Sequence, residues 1–246
     1  MKILGIIPAR YQSSRFPGKP LIDIDGMSMI QRVYTQAKKS KLLSEVIVAT
    51  DDERILNHIE SFGGKAMMTS KAHETGTSRC GEVISTHHQY DVVINIQGDE
   101  PLIRPEQIDE VLALFENQEI KIGTVVKQIV NTEDLINPNR IKVVMDKNKN
   151  ALYFSRSAIP FKQGVILEDW LDEGSYFKHI GIYAWRMNTL KELLKLAPTQ
   201  LEKTESLEQL RWLNHGYKIC TVETQIETPN IDTPEDVAAV LKALGK

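Results

Sequence analysis

Two kinds of hydrophobic pattern alternate along the first half of the chain. Short apolar runs predict strands buried on both faces at residues 3–7, 46–49 and 92–96, with a weaker strand signal at 65–68. Between the runs, apolar side chains recur at the spacing of one helix face, as they do at Ile30, Val33, Tyr34 and Ala37. The same spacing predicts helices at residues 55–62, around 83–84 and at 108–115. The pair Gly63–Gly64 is expected to end the second helix.

Repeated β-α units of this kind predict an α/β fold, Rossmann-like, with a mostly parallel sheet and helices on both faces. After residue 120 the pattern becomes mixed, which predicts a less regular second half with a small subregion. Strands are expected there at 122–128, 141–145, 152–154, 179–185 and 218–222, and helices at 190–196 and 205–214. A last helix has start signals, with Thr233 as its N-cap and Pro234 at its first position. We interpret residues 1–246 as a single domain with two halves, 1–120 and 121–246.

Composition narrows the class of protein. The net charge is −3 with histidine neutral and the isoelectric point is about 6.1, which argues against a generic nucleic-acid binder. No apolar run approaches the ~18 residues of a membrane-spanning helix, and the first apolar stretch is broken by Gly5, unlike an export signal. Cys80 and Cys220 make neither a disulfide framework nor a CxxC site, so a reducing, cytoplasmic location is expected.

The loop that follows the first predicted strand is cationic. Residues 9–20 contain Arg10, Arg15 and Lys19 and no acidic residue, with Ser14 and Gly18 between them. In parallel sheets ligands bind beyond the carboxyl ends of strands, so this loop can wrap a polyphosphate. It is not a P-loop, because GxxxxGK[ST] is absent. A solvated basic loop is the alternative, and the position after a buried strand favours phosphate binding.

Ordered sequence blocks over nearly the whole chain resemble one family. The N-terminal block comprises Ile6-Ile7-Pro8-Ala9-Arg10 and Ser14-Arg15-Phe16-Pro17-Gly18-Lys19-Pro20. It is similar to the signature of sugar nucleotidyltransferases that activate acidic sugars with CTP. Later blocks occur in the family's order: residues 95–101 (NIQGDEP), 153–156 (YFSR), 179–183 (HIGIY), 207–211 (LEQLR) and 232–236 (DTPED). Together they resemble the 3-deoxy-D-manno-octulosonate (Kdo) cytidylyltransferase family, which implies a nucleotide-diphospho-sugar transferase-like fold.

The resemblance implies a magnesium site formed by Asp99 and Asp232. Independently of it, Asp99 follows the strongest predicted strand, where a carboxylate can hold Mg²⁺ against a triphosphate. The alternative for Asp99 is a turn residue, and the alternative for Asp232 is helix capping. Since Thr233 is expected to serve as the cap, Asp232 is expected to point elsewhere.

The resemblance also implies the substrate-binding residues. Those expected to bind CTP are Ala9, Arg10, Ser14, Arg15, Lys19, Gly76, Arg79, Gln97 and Asp99. Those expected to bind the sugar are Gln97, Arg156, His179, Tyr183, Glu208 and Gln209, with Arg156 on the sugar carboxylate. Taken alone, Arg156 also fits a surface residue, and Glu208 and Gln209 fit solvent-facing helix positions. Ser78 stands where the family has an acidic residue, so no role of that residue is carried over.

The activity implied is transfer of CMP from CTP to the anomeric hydroxyl of Kdo, with release of pyrophosphate, for lipopolysaccharide assembly. Lys19, Arg10, Asp99 and Asp232 are the expected catalytic residues, and Mg²⁺ is the expected cofactor. The resemblance implies that residues 1–120 form the CTP-binding half, and that residues 121–246 bind the sugar and form a homodimer. The same chemistry on 8-amino-Kdo or a sialic acid is an alternative, and the sialic acid fits the sugar-side blocks less well. A second alternative is a nucleotide-sensing module that catalyses no reaction. The presence of Lys19, Asp99 and Asp232, the expected catalytic residues, argues against this alternative.

Overall fold

A computed structural model of the protein describes residues 1–12 and 16–246. The strands are β1 (Ile3–Ala9), β2 (Asp23–Ile24), β3 (Met27–Ser28), β4 (Glu45–Thr50), β5 (Ala66–Met68), β6 (Val92–Asn95), β7 (Ile122–Gln128), β8 (Lys142–Met145), β9 (Ala151–Ser155), β10 (Phe177–Arg186) and β11 (Cys220–Glu223). The helices are α1 (Met29–Ala37), α2 (Glu53–Ser61), α3 (Gly76–Ile84), α4 (Pro105–Ala113), α5 (Thr132–Ile136), α6 (Met187–Leu193), α7 (Gln200–Glu205), α8 (Gln209–Asn214) and α9 (Asp236–Ala243).

The main sheet has the order β11-β7-β10-β6-β1-β4-β5, and β8 pairs with β10 and β9. Strands β6, β1, β4 and β5 are parallel, as are β7 and β11, whereas β10 runs antiparallel between β6 and β7. The predicted α/β class with a mostly parallel, mixed sheet is confirmed. Because β10 comes from the second half of the chain, it brings that half beside the carboxyl ends of β1 and β6.

Helices cover both faces of the sheet, as the alternating pattern predicts. Side chains of β1 alternate between them: Leu4 and Ile6 pack on the side of α3, α6 and α8, and Ile3 and Ile7 on the side of α1, α2 and α4. Two large apolar cores result. A smaller cluster joins the β2–β3 ribbon to α9, and another lies within residues 129–176.

Two helix predictions in the second half are wrong in detail. Residues 205–214 do not form one helix: α7 ends at Glu205, the next residue Ser206 has left-handed backbone geometry (φ 53°), and α8 begins at Gln209. The last helix begins at Asp236, so Thr233 is not its N-cap. The Asp236 carboxylate instead accepts hydrogen bonds from the backbone N–H groups of Asp232 and Thr233, which tightens the turn before the helix.

In the part of the chain that the structure describes, no helix combines the length and apolar character needed to cross a bilayer.

Candidate active site

A continuous cleft runs along the edge of the sheet where β1 and β6 end. It consists of two cavities of about 440 and 370 Å³, which share Pro8, Arg10 and Gln97 as lining residues. A larger hollow of about 680 Å³ lies at the opposite edge, where β7 and β11 begin. We favour the cleft because ligands of open α/β sheets bind beyond the carboxyl ends of strands, and because it contains the paired charges described below.

Lys19 lies between the two predicted metal carboxylates. Its Nζ donates to Asp99 Oδ2 at 3.0 Å and lies 3.6 Å from Asp232 Oδ1. It also donates to the backbone carbonyl of Ile231 at 2.7 Å. The chain reverses at Gly18, whose φ of 74° favours glycine, and Lys19 opens the following 3₁₀ turn. One ammonium group therefore holds together two carboxylates that are 133 positions apart in the sequence.

Gly98 sets the position of Asp99. A Cβ at residue 98 would lie 2.8 Å from the backbone oxygen of Pro8, so the loop after β6 passes directly against the end of β1. In the same loop Glu100 is half-buried, and burial, with a smaller effect of the Asp99 charge, raises the pKa of Glu100 to about 8.

Asp232 reaches the cleft because the last loop folds back over the first half. The backbone N–H of Ile231 donates to the carbonyl of Asp99 at 2.9 Å, and the Ile231 side chain is buried against Ile24 and Met29. The two carboxylates fit a magnesium ion, which typically takes one or two carboxylates together with phosphate oxygens and water. No group of three or more potential ligands (His, Cys, Asp, Glu) exists among residues 1–12 and 16–246.

The second cavity brings together most of the predicted sugar-binding residues. Its lining includes five of them, Gln97, His179, Tyr183, Glu208 and Gln209, together with Gly76, which was predicted to bind CTP. Glu208 and Gln209 do not face solvent, as the alternative interpretation would have it. The Glu208 carboxylate accepts hydrogen bonds from the hydroxyls of Thr75 and Thr77 at the start of α3. Burial raises the pKa of Glu208, and these hydrogen bonds partly oppose that shift.

Aromatic rings and unpaired polar atoms form the wall of this cavity. His179 packs edge-on against Phe154 and beside Tyr183, and burial lowers the pKa of His179 to about 3, so its ring is neutral. Among the described residues, Tyr183 Oη and Asn95 Oδ1 are buried without a hydrogen-bond partner. Buried polar atoms are normally satisfied by protein, water or ligand, so these two atoms leave unused hydrogen-bonding capacity on residues that line the cavity.

The arginines differ in their availability. Arg10 is exposed and lines both cavities. Arg79 lines the sugar-side cavity but is buried, donating to Asp51 at 2.8 Å and to the Thr69 hydroxyl. The Arg156 guanidinium donates to the backbone carbonyls of Glu205, Pro138 and Ser206 and is not among the residues that line the cleft. Its predicted contact with the sugar carboxylate stays a prediction.

Of the remaining predicted site residues, two lie at the cleft and two lie in the part of the chain that is not described. Ala9 lies in the wall of the larger cavity, and Gln97 donates to the carbonyl of Gly181 at 2.7 Å. Ser14 and Arg15 lie outside the described residues.

Sequence reasoning missed Thr75, Asn95 and Thr124 as site residues. Thr75 forms a capping box with Ser78 at the start of α3. Ser78, which stands where the family has an acidic residue, therefore has a structural role. The sequence pattern Thr-x-x-Ser before an apolar run could have predicted this capping box. Asn95 lies next to the end of the predicted strand 92–96 and is the last residue of β6, whereas nothing in the sequence marks the buried Thr124.

Comparison with known proteins agrees with this geometry. The sequence model described as cytidylyltransferase matches residues 4–219. The chain therefore belongs to the cytidylyltransferase family. It is 51% identical to the 3-deoxy-manno-octulosonate cytidylyltransferase of Parabacteroides distasonis, over 99% of this chain and 98% of the relative. It is 52% identical to the protein of the same name from Bacteroides thetaiotaomicron, over 96% of each chain. Within the family, the chain thus groups with the 3-deoxy-manno-octulosonate cytidylyltransferases.

Solved structures give the same result for the fold. A CMP:2-keto-3-deoxy-manno-octonic acid synthetase complexed with CTP superposes with a TM-score of 0.92 and 41% identity, over 100% of this chain and 99% of the other. The 4-diphosphocytidyl-2C-methyl-D-erythritol synthase of Anaerococcus prevotii superposes with a TM-score of 0.65 at 14% identity, which shows a shared fold.

Proposed function

We propose that this protein transfers CMP from CTP to the anomeric 2-hydroxyl of Kdo and releases pyrophosphate. The observation that carries the proposal is the clamp of Lys19 on Asp99 and Asp232 at one end of a cleft whose other end has a polar, aromatic wall. The relatives of about 50% identity named for this activity support it. A triphosphate at the charged end would direct its α-phosphate towards the sugar-side cavity.

The residues of the cleft would act mainly by positioning and charge. The oxygen of the sugar 2-hydroxyl forms a bond to the α-phosphorus in line, the bond to the β-phosphate oxygen breaks, and the hydroxyl proton is released. Negative charge builds up on the departing pyrophosphate, where Lys19 and Arg10 supply positive charge. We assign Asp99 and Asp232 to hold Mg²⁺, which when bound neutralises phosphate charge and makes the attacking hydroxyl more acidic. Lys19 then has to give up part of its contact with the two carboxylates.

The test is pyrophosphate release from CTP, Kdo and Mg²⁺ by the wild type, Asp99→Asn and Glu60→Gln. Asp99→Asn keeps the shape of the side chain but removes its charge, so we expect a loss of activity of about 100-fold or more. Glu60 is exposed on α2 and lines neither cavity of the cleft, so its variant, which also removes one carboxylate charge, should match the wild type. CTP binding without turnover on any acidic sugar would favour a sensing module. Faster turnover of 8-amino-Kdo than of Kdo would reassign the substrate.

We further propose a homodimer formed through residues 129–176. This segment, which has its own small core, exposes five large apolar side chains: Val130, Ile136, Leu152, Phe161 and Ile166. Exposed apolar side chains grouped in this way mark interaction surfaces. A cytoplasmic location is also proposed, supported by the requirement for CTP and by the free thiols of Cys80 and Cys220.

A further inference from the structure

A β-bulge in β10 is held from two sides. The pairing register of β10 with β7 shifts between Ile180 and Tyr183, which leaves Gly181 and Ile182 as the bulge. Gln97 Nε2 donates to the Gly181 carbonyl at 2.7 Å. Thr124 Oγ1 donates to the Ile182 carbonyl, also at 2.7 Å. Each carbonyl of the bulge therefore accepts a hydrogen bond from a side chain.

The protons of this network can be assigned by counting. A hydroxyl has one proton, and a carbonyl can only accept, so the Thr124 proton is committed to Ile182. His179 Nε2 lies 2.9 Å from the same Thr124 oxygen. The only proton left for this contact is one on Nε2, so His179 donates and Thr124 accepts. A neutral imidazole carries one N–H, which leaves Nδ1 as a hydrogen-bond acceptor.

The acceptor nitrogen is not fully enclosed by protein, and the residue that carries it lines the cleft. Within the described residues, Nδ1 of His179 has no hydrogen-bond partner, and it is not among the fully buried unpartnered atoms. The His179 ring borders the sugar-side cavity beside Tyr183 and Gln97. Burial lowers the pKa of His179 to about 3, so protonation does not convert Nδ1 into a donor near neutral pH.

We propose that Thr124 is a positioning residue that fixes His179 as the Nε2–H tautomer, so that Nδ1 accepts a hydrogen bond from a hydroxyl of the bound sugar acid. Thr124 itself is fully buried. The sugar acid as ligand rests on the proposed function. The tautomer rests only on the contacts of Thr124, His179 and Ile182.

The first experiment observes the tautomer directly. Long-range ¹H–¹⁵N spectra of labelled protein distinguish the two ring nitrogens, and the His179 signals are assigned by their loss in His179→Gln. In the wild type we expect the Nε2–H form, with an Nδ1 resonance that shifts when Kdo is added. A dominant Nδ1–H form, or an Nδ1 resonance unmoved by saturating Kdo, would overturn the proposal. The tautomer is read without turnover, so failure of the proposed function is seen separately.

The second experiment compares Thr124→Val, Thr124→Ser and Thr221→Val. Thr124→Val removes the hydroxyl at nearly constant shape, so the Nε2–H signature should be lost. The KM for the sugar should rise about 10-fold or more while the KM for CTP stays within about 2-fold. Thr124→Ser keeps the hydroxyl and should restore both readouts.

Thr221→Val is the matched control. Thr221 is buried on the neighbouring β11, and its hydroxyl donates to the Lys149 carbonyl at 2.9 Å rather than contacting a histidine. Its variant should keep the tautomer and the sugar KM. A Thr124→Ser variant as impaired as Thr124→Val, or equal effects on both KM values, would reduce Thr124 to a packing role. If Thr124→Val does not fold, the wild-type and Thr124→Ser spectra still decide the tautomer.

Discussion

At the scale of single residues, Lys19 is the residue on which the charged end of the cleft depends. Its ammonium group offsets the repulsion between Asp99 and Asp232 and fixes the last loop through the Ile231 carbonyl. Its side chain is only 12% exposed, so the contacts act in a partly desolvated site. Because Lys19 organises the cleft and is also proposed to contact the phosphates, we expect its substitution to change both structure and catalysis.

Lys19→Met should lower kcat by about 100- to 1,000-fold, because it removes positive charge from the place where phosphate charge develops. Steady-state pyrophosphate release measures this loss. Lys65→Met is the control, since Lys65 is exposed and pairs with Glu45 away from the cleft. Retention of wild-type kcat by Lys19→Met would refute the role assigned to Lys19.

His179 gives a prediction about acid stability. Burial lowers the pKa of His179 to about 3, below its value in the unfolded chain. Between these two pKa values, His179 is protonated in the unfolded chain and neutral in the folded protein. Stability is therefore lost as the pH falls through the unfolded pKa of about 6.5 and towards 3. Between about pH 7.5 and 5.5, the wild type should lose about 1 kcal/mol more of its unfolding free energy than His179→Gln does.

Urea unfolding at the two pH values measures this difference. His88→Gln, at an exposed histidine, should follow the wild type. Parallel curves for the wild type and His179→Gln would mean that His179 is not protected from protonation in the folded protein.

At the scale of elements, the site depends on how closely the loops after β1 and β6 approach each other. Gly98→Ala would place a Cβ against the Pro8 carbonyl, and a backbone atom cannot move aside as a flexible side chain can. We expect a loss of about 1–3 kcal/mol of stability and a lower kcat, since Asp99 is displaced. Thermal unfolding and pyrophosphate release are the measurements.

Gly174→Ala serves as the comparison, because Gly174 is exposed and the nearest atom to an added Cβ belongs to the Tyr176 ring. It should be nearly neutral. A Gly98→Ala enzyme with wild-type stability and kcat would show that the two loops adjust to the added methyl group.

The elements also show where local sequence signals are sufficient. The helices α1 and α2 follow from apolar spacing and stop signals, because each buries one continuous stripe against the sheet. The break between α7 and α8 does not follow from the local spacing, since Ser206 adopts a left-handed conformation and its carbonyl accepts a hydrogen bond from the distant Arg156. The start of α9 also differs from the prediction, because the Asp236 carboxylate accepts hydrogen bonds from the backbone N–H groups of Asp232 and Thr233.

At the scale of the whole molecule, the exposed apolar face of residues 129–176 gives a prediction about assembly. Phe161 is 77% exposed and packs edge-on against Trp170. Phe161→Asp should shift a dimer towards the monomer, because a charge would be buried in the interface. Light scattering coupled to size exclusion gives the mass.

Met68→Asp is the matched control, since Met68 is exposed on β5 at the far edge of the sheet. It should leave the mass unchanged. A monomeric wild type, or a dimer that persists in Phe161→Asp, would contradict the proposed interface.

The sequence by itself determined the α/β class, most strands and helices, and the candidates Lys19, Asp99 and Asp232, because apolar periodicity and ordered motifs are local properties of the chain. Only the tertiary structure decided which of these side chains meet. The Asp99–Lys19–Asp232 clamp, the Glu208 contacts with Thr75 and Thr77, and the Thr124–His179 pair all join distant residues. Such contacts depend on strand order and loop return, above all on β10 lying antiparallel between β6 and β7, which no local pattern encodes.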